Sequence, residues 1–61
     1  MIKYYMSQHR TILAVDWEKL PVFYTQWLRA FYTEISREEF DMYKMAGYRE
    51  ENGESFYYDY R

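Results

Sequence analysis

The sequence predicts an α+β fold. It reads as a small single domain with an N-terminal β-hairpin, two central helices, and a C-terminal β-hairpin or strand completing a small antiparallel sheet. Three observations carry this. Residues 2–6 and 11–15 are short apolar or alternating runs separated by a polar break. Residues 20–46 switch to the helical period and contain a complete helix-start signature. Asn52-Gly53 is the strongest short signal for a hairpin turn, because both central residues of a type I′ turn need positive φ. At 61 residues the chain is one domain spanning 1–61. A chain so short buries only about 60% of the surface it exposes when unfolded, so an elaborate catalytic cleft or a large internal cofactor pocket is not expected.

In the first strand, Ile2, Tyr4 and Met6 alternate with Lys3 and Tyr5. Ser7-Gln8-His9-Arg10 breaks the pattern. Thr11 to Val15 is apolar and partly β-branched, as in a more buried strand, and the short break favours an antiparallel hairpin. Asp16 signals a helix start, and Pro21 places the regular helix near itself, since proline suits a first turn. At 100° per residue, Phe23, Tyr24, Trp27, Leu28 and Phe31 share one broad face, with Thr25, Gln26 and Arg29 opposite. The helix is expected over about residues 20–32.

Ser36 and Glu39 form a capping box, and Ile35 with Phe40 forms a hydrophobic staple. Glu38 and Glu39 sit where the helix dipole favours anions, and Arg37 and Asp41 are an i,i+4 pair. The second helix is expected over about residues 37–46, with Phe40, Tyr43 and Ala46 inward, Met42 at the edge and Met45 outward. Gly47 ends it. Beyond Asn52-Gly53, Phe56, Tyr58 and Tyr60 would share one strand face, and Tyr57 and Asp59 the other. The helices would cover one face of the sheet.

Composition narrows function. Leu, Ile and Val together number eight, whereas the aromatics number fifteen, nine of them Tyr. Nine phenols cannot all be buried without hydroxyl partners, so some belong on the surface, and surface Tyr favours interfaces. No Cys is present, which excludes disulfides and thiolate metal sites. No apolar run approaches the ~18 residues of a membrane span, and residues 1–6 lack the features of a signal peptide. The expected location is cytoplasmic, in the host cell if the chain is phage-encoded. Net charge is −2, divided unevenly: residues 1–33 are net basic and residues 34–61 net acidic.

Catalytic constellations are weak. His9 and Ser7 read as surface polars of a turn, with nothing to supply an oxyanion hole. Glu38, Glu39 and Asp41 read as a capping cluster, and the spacing of Glu50, Glu51 and Glu54 lacks the ligand pattern of a calcium loop. No metal, cofactor or enzymatic activity is expected. Two helices followed by a hairpin invite a winged-helix reading, but the second helix and the expected wing are acid-rich where phosphate contacts need cations. Single-stranded nucleic acid stacking on Tyr4, Tyr5, Tyr57 and Tyr58, near Lys3 and Arg10, is a further candidate.

The remaining feature is acid interleaved with aromatics. Glu50, Glu51, Glu54, Tyr57, Tyr58, Asp59 and Tyr60 are the candidate partner-binding residues. The tyrosines would anchor and the carboxylates would steer toward a protein with a basic surface. The aromatic excess would equally serve a homodimer. In size, acidity, aromatic content and missing Cys, the chain is similar to very small phage-encoded proteins that bind and block host machinery, such as anti-CRISPR proteins and inhibitors of DNA repair enzymes. The likeness is one of type, carried by no motif. The expected function is therefore a non-enzymatic protein–protein interaction module, an inhibitor of a nucleic-acid-handling enzyme. The alternative is a small nucleic-acid-binding or regulatory protein of winged-helix type.

Overall fold

Strand β1 (Ile2–Ser7) turns back through Gln8-His9-Arg10 into β2 (Thr11–Asp16), giving the expected antiparallel hairpin with Ile2 opposite Asp16 and Met6 opposite Ile12. The computed structural model describes residues 1–57, excluding the side chains of Ser55 and Phe56. The hairpin loop has three residues and ends at Arg10 with φ 62°, the left-handed position such loops need. Ser7 holds it together. Its Oγ accepts the N–H groups of His9 (3.1 Å) and Thr11 (3.3 Å) and lies 2.6 Å from Thr11 Oγ1.

Helix α1 (Val22–Phe31) begins after Pro21, whose φ of −58° suits a helix entry. No loop follows it. Tyr32 turns extended and the chain runs directly into strand β3 (Tyr32–Ile35). This strand was not expected, and it takes the end assigned to the helix. Thr33 and Ile35 are β-branched, and the free edge of β1 is there to pair with them, Tyr4 opposite Ile35 and Ser7 opposite Tyr32.

Helix α2 (Arg37–Met45) has the expected capping box. Ser36 Oγ accepts the N–H of Glu39 at 3.0 Å, and Glu39 Oε1 accepts the N–H of Ser36 at 2.9 Å. Gly47, at φ 99°, reverses the chain after it. Phe40 is buried and Tyr43 half-buried as expected, but Ala46 is exposed, because the last turn runs past the sheet.

Among the described residues the C-terminal segment adds a single strand, β4 (Arg49–Glu51), one of the two forms expected, but it runs parallel to β2 and not antiparallel, with Thr11 opposite Arg49 and Leu13 opposite Glu51. The sheet is therefore mixed, in the order β3-β1-β2-β4. No hairpin forms at Asn52-Gly53. Asn52 instead caps a 3-10 turn (Gly53–Phe56), its Oδ1 accepting the N–H of Glu54 at 3.0 Å. Tyr58, Asp59 and Tyr60 lie outside the described residues.

The two helices lie on opposite faces of the sheet, not on one. Leu20 and Leu28 pack with Tyr5, Leu13 and Val15 beneath α1, whereas Phe40 of α2 packs with Ile12 and Ile35 on the other face. The reason is β3. It stands between the helices in sequence and lies at a sheet edge, so the chain arrives over one face and leaves over the other. Strands β2, β3 and β4 run the same way, and the two crossovers move in opposite directions on opposite faces, so they share one hand. The helix-turn-helix geometry of the alternative reading is absent among the described residues, because a strand separates the helices.

Candidate docking surface

Helix α1 has more apolar surface than the sheet can cover. Its residues fall into rows spaced by four. The row Leu20, Tyr24, Leu28 and Tyr32 faces the sheet, and its centre, Leu28, is fully buried. The adjacent row is Phe23, Trp27 and Phe31. The helical period places it on one broad face with Tyr24 and Leu28, but Phe23 is 53% exposed, Trp27 36% and Phe31 59%. Val22, one row further round, is 78% exposed. From Phe23 to Leu28 the apolar arc covers about 140° at 100° per residue, whereas one packed face needs little more than about 100°, and Val22 lies apart from it beyond Gln26. That modest excess was the signal in the sequence for apolar residues left exposed.

The exposed rings form a continuous ridge. Phe23 stacks on Tyr24 with centroids 4.3 Å apart, and Tyr24 meets Trp27 edge-on at 6.1 Å. Trp27 contacts Phe31 at 5.8 Å and Tyr32 at 5.4 Å. These contacts fix the ring directions and leave the rings little side-chain entropy.

At its C-terminal end the ridge opens into a cleft of about 650 Å³, where Trp27, Phe31 and Tyr32 face His9, Arg49 and Glu51. Tyr32 donates its O–H to Glu51 Oε1 at 2.6 Å, tying the end of α1 to β4. Burial pushes the Tyr32 phenol well above its ordinary value, and the hydrogen bond to the Glu51 carboxylate adds to the rise. Tyr5, in the core below, is raised chiefly by burial as well. The cleft thus has a neutral aromatic wall and a charged rim.

The residues singled out from sequence meet elsewhere. Glu50, Glu51, Glu54 and Tyr57 line a second cleft of about 470 Å³, with Asp16 and Lys19. Several of its polar groups already have partners. Glu50 pairs with Lys44 at 3.1 Å, and Glu51 reaches across to Tyr32. Asp16 receives the N–H of Glu18 at 3.1 Å, which holds its carboxyl below the ordinary range. Tyr57 packs against the core under α1, and its phenol oxygen accepts the N–H of Asp16. Glu54 is exposed on the 3-10 turn. Tyr4 is half-buried against Phe40 and Tyr5 is buried against Trp17, so these two belong to opposite cores and form no common stacking platform.

A scan against family models returns no match for this chain, and searches of curated proteins and of solved structures return none either.

Proposed function

We propose that this protein is a non-enzymatic protein–protein interaction module that docks through the aromatic ridge of α1. The observation that supports it is the exposure of Val22, Phe23, Trp27 and Phe31 on one helix. Taking about 150–250 Å² for a large side chain, those exposures leave roughly 400 Å² of apolar surface in water. Covering it is worth on the order of 10 kcal/mol by area transfer. A domain of this size has a total stability of roughly 3–9 kcal/mol. An apolar patch of that size matches the largest patch on a typical monomer, which is often functional. The ridge also has the composition of a binding centre, aromatic and uncharged, with Arg49 in the cleft at its end.

The test is substitution of the exposed rings. Phe23→Ala with Phe31→Ala should weaken association with the partner while shifting stability by no more than about 0.5 kcal/mol each, as surface changes do. Undiminished binding by the doubly substituted chain removes the ridge as the docking surface.

A second reading keeps the acidic surface for a basic partner, such as a nucleic-acid-handling enzyme. What favours it is the convergence of Asp16, Glu50, Glu51 and Glu54 on one cleft around Lys19. Charge reversal at Glu50 and Glu54 should then abolish capture of a basic protein and leave the α1 surface unaffected. The two readings rest on different residues, Phe23 and Phe31 against Glu50 and Glu54, so each can fail alone.

A further inference from the structure

We infer that Asn52 is a site of spontaneous covalent modification: its side-chain amide closes on the Gly53 backbone nitrogen and loses ammonia. The seat of Gly53 on β2 holds that step back until the 3-10 turn lifts. Neither docking reading is needed for this.

The sequence supplies the reactants. Asn52 is the one asparagine in the chain, and Gly53 follows it. Attack on the side-chain carbonyl needs the next backbone nitrogen to come close, and a glycine there has no Cβ to obstruct it. Asn52 is exposed, so water and hydroxide reach it. The Gly53 N–H gives its proton to hydroxide, and its nitrogen attacks Asn52 Cγ. A C–N bond forms there, and the side-chain nitrogen leaves with its bonding pair, takes a proton from water and departs as ammonia. Water then adds to one of the two imide carbonyls and breaks that carbonyl's bond to the Gly53 nitrogen. The net change converts an amide and water to a carboxylic acid and ammonia.

The fold opposes the first step. A planar five-membered ring has the Gly53 nitrogen eclipsing Asn52 Cβ, which tetrahedral geometry at Cα puts at a ψ of about −120°. Asn52 has ψ 101°, more than a right angle of rotation away. Both sides of that bond are pinned. Before it, β4 pairs with β2. After it, Gly53 lies so close to β2 that an added Cβ would fall 2.1 Å from the Ala14 carbonyl oxygen. Further on, Tyr57 packs in the core under α1, and its phenol oxygen accepts the Asp16 N–H. The side chain is held as well, because Asn52 Oδ1 accepts the Glu54 N–H at 3.0 Å. Reaching the reacting angle therefore requires the turn to leave β2, which is a local opening of the fold.

The two products differ in whether the turn can reseat. Hydrolysis at Cγ gives Asp, which keeps an oxygen for the Glu54 N–H. Hydrolysis at the backbone carbonyl leaves the chain running through the side chain, one methylene longer, with the carboxylate on Cα. The Glu54 N–H then loses its side-chain acceptor. With β4 fixed, the extra carbon displaces Gly53 from a slot that has no room even for a Cβ. The lengthened chain stays lifted, so this branch releases the turn in one direction only.

The experiment keeps the full chain at neutral pH with and without denaturing urea. Conversion is read from the intact mass and placed on Asn52 by peptide mapping. It should be at least about tenfold slower in the folded chain. Tyr57→Phe removes the phenol acceptor and should raise the folded rate about fivefold while leaving the rate in urea unchanged. Ser36→Ala weakens α2 and not the turn, so it should leave both rates unchanged. The isolated product with the lengthened backbone should unfold at lower urea concentration than the wild-type chain, and Asn52→Asp should not. No conversion in urea overturns the site. Equal rates in the folded and unfolded chains, or a Tyr57→Phe chain no faster than Ser36→Ala, overturn the role of the Gly53 seat. A lengthened product as stable as wild type overturns the one-way release.

Discussion

A methyl group at Gly53 should cost this fold more than any other single added carbon described here. A Cβ built on Gly53 falls 2.1 Å from the carbonyl oxygen of Ala14 and 3.0 Å from Val15 Cγ1. Ordinary carbon–oxygen contact is about 3.3 Å, so the 3-10 turn must lift from β2 by about 1 Å. The Ala14 carbonyl cannot swing aside, because β2 is an inner strand paired on both edges. The lift pulls the Tyr57 ring from the core and its phenol from the Asp16 N–H. Overpacking costs about 1–3 kcal/mol and the hydrogen bond about 1 kcal/mol, giving about 2–4 kcal/mol for Gly53→Ala. For a domain of this length that lowers Tm by roughly 10–30 °C. Thermal and urea unfolding followed by circular dichroism would measure it. Gly47→Ala is the control. Gly47 has positive φ but nothing within 4 Å of its added carbon, so only backbone strain of about 1 kcal/mol is expected. Gly53→Asn separates this reasoning from the turn that the sequence suggested. A type I′ turn accepts Asn, whereas close approach to Ala14 makes Asn as damaging as Ala. If Gly53→Ala costs no more than Gly47→Ala, or if Gly53→Asn is neutral, the packing argument is wrong.

Other expectations follow from single contacts. Ser36→Ala removes one arm of the capping box and should cost about 1 kcal/mol in urea unfolding; no loss would mean that the box is energetically idle. Leu28→Ala should cost about 2–5 kcal/mol and Phe31→Ala no more than about 0.5 kcal/mol, although both are large apolar residues of α1; equal losses would contradict the row assignment. The raised phenol of Tyr32 keeps its proton in the fold while the unfolded chain ionises near pH 10. Stability should therefore hold below that pH and fall as pH rises further, and Tyr32→Phe should make the fall shallower. Asp16 has the opposite sign. Its lowered carboxyl gives stability above about pH 4 that is lost as pH falls, so Asp16→Asn should flatten the acid limb of a stability–pH curve, and an unchanged limb would reject the role given to the Glu18 N–H.

The parts of the fold legible in the sequence are those fixed by local chemistry. Ser36 and Glu39 determine where α2 starts whatever lies around them, and the polar break after Met6 specifies a hairpin between two apolar runs. The missed parts depend on distant neighbours. Tyr32 to Ile35 has four residues and no turn before it, and it becomes a strand only because β1 has a free edge to pair with. Asn52-Gly53 has the composition of a hairpin turn, yet Gly53 is required by the approach of the Ala14 carbonyl and not by its φ. The docking surface shows the same limit. Helical period alone put Phe23, Trp27 and Phe31 beside Leu28 on a single face. It could not register that a sheet touches one row of that face and leaves Phe23 and Phe31 of the next row more than half exposed.

The alternation of Ile12 and Leu13 has a consequence for how the strands find their alignment. These neighbours are both fully buried, one in each core. A strand with one wet face is kept in register by polarity, because a slip of one residue would turn its apolar set outward. Strand β2 lacks that safeguard. A slip would exchange Leu13 and Val15 for Ile12 and Ala14, one greasy set for another. Alignment falls instead to the loop at the tip of the hairpin. There the Ser7 hydroxyl gathers the N–H groups of His9 and Thr11, and the left-handed Arg10 closes a loop of three residues. A slipped strand would leave the buried Thr11 hydroxyl without Ser7. The seating of both helices is thus decided by a few polar atoms that belong to neither core.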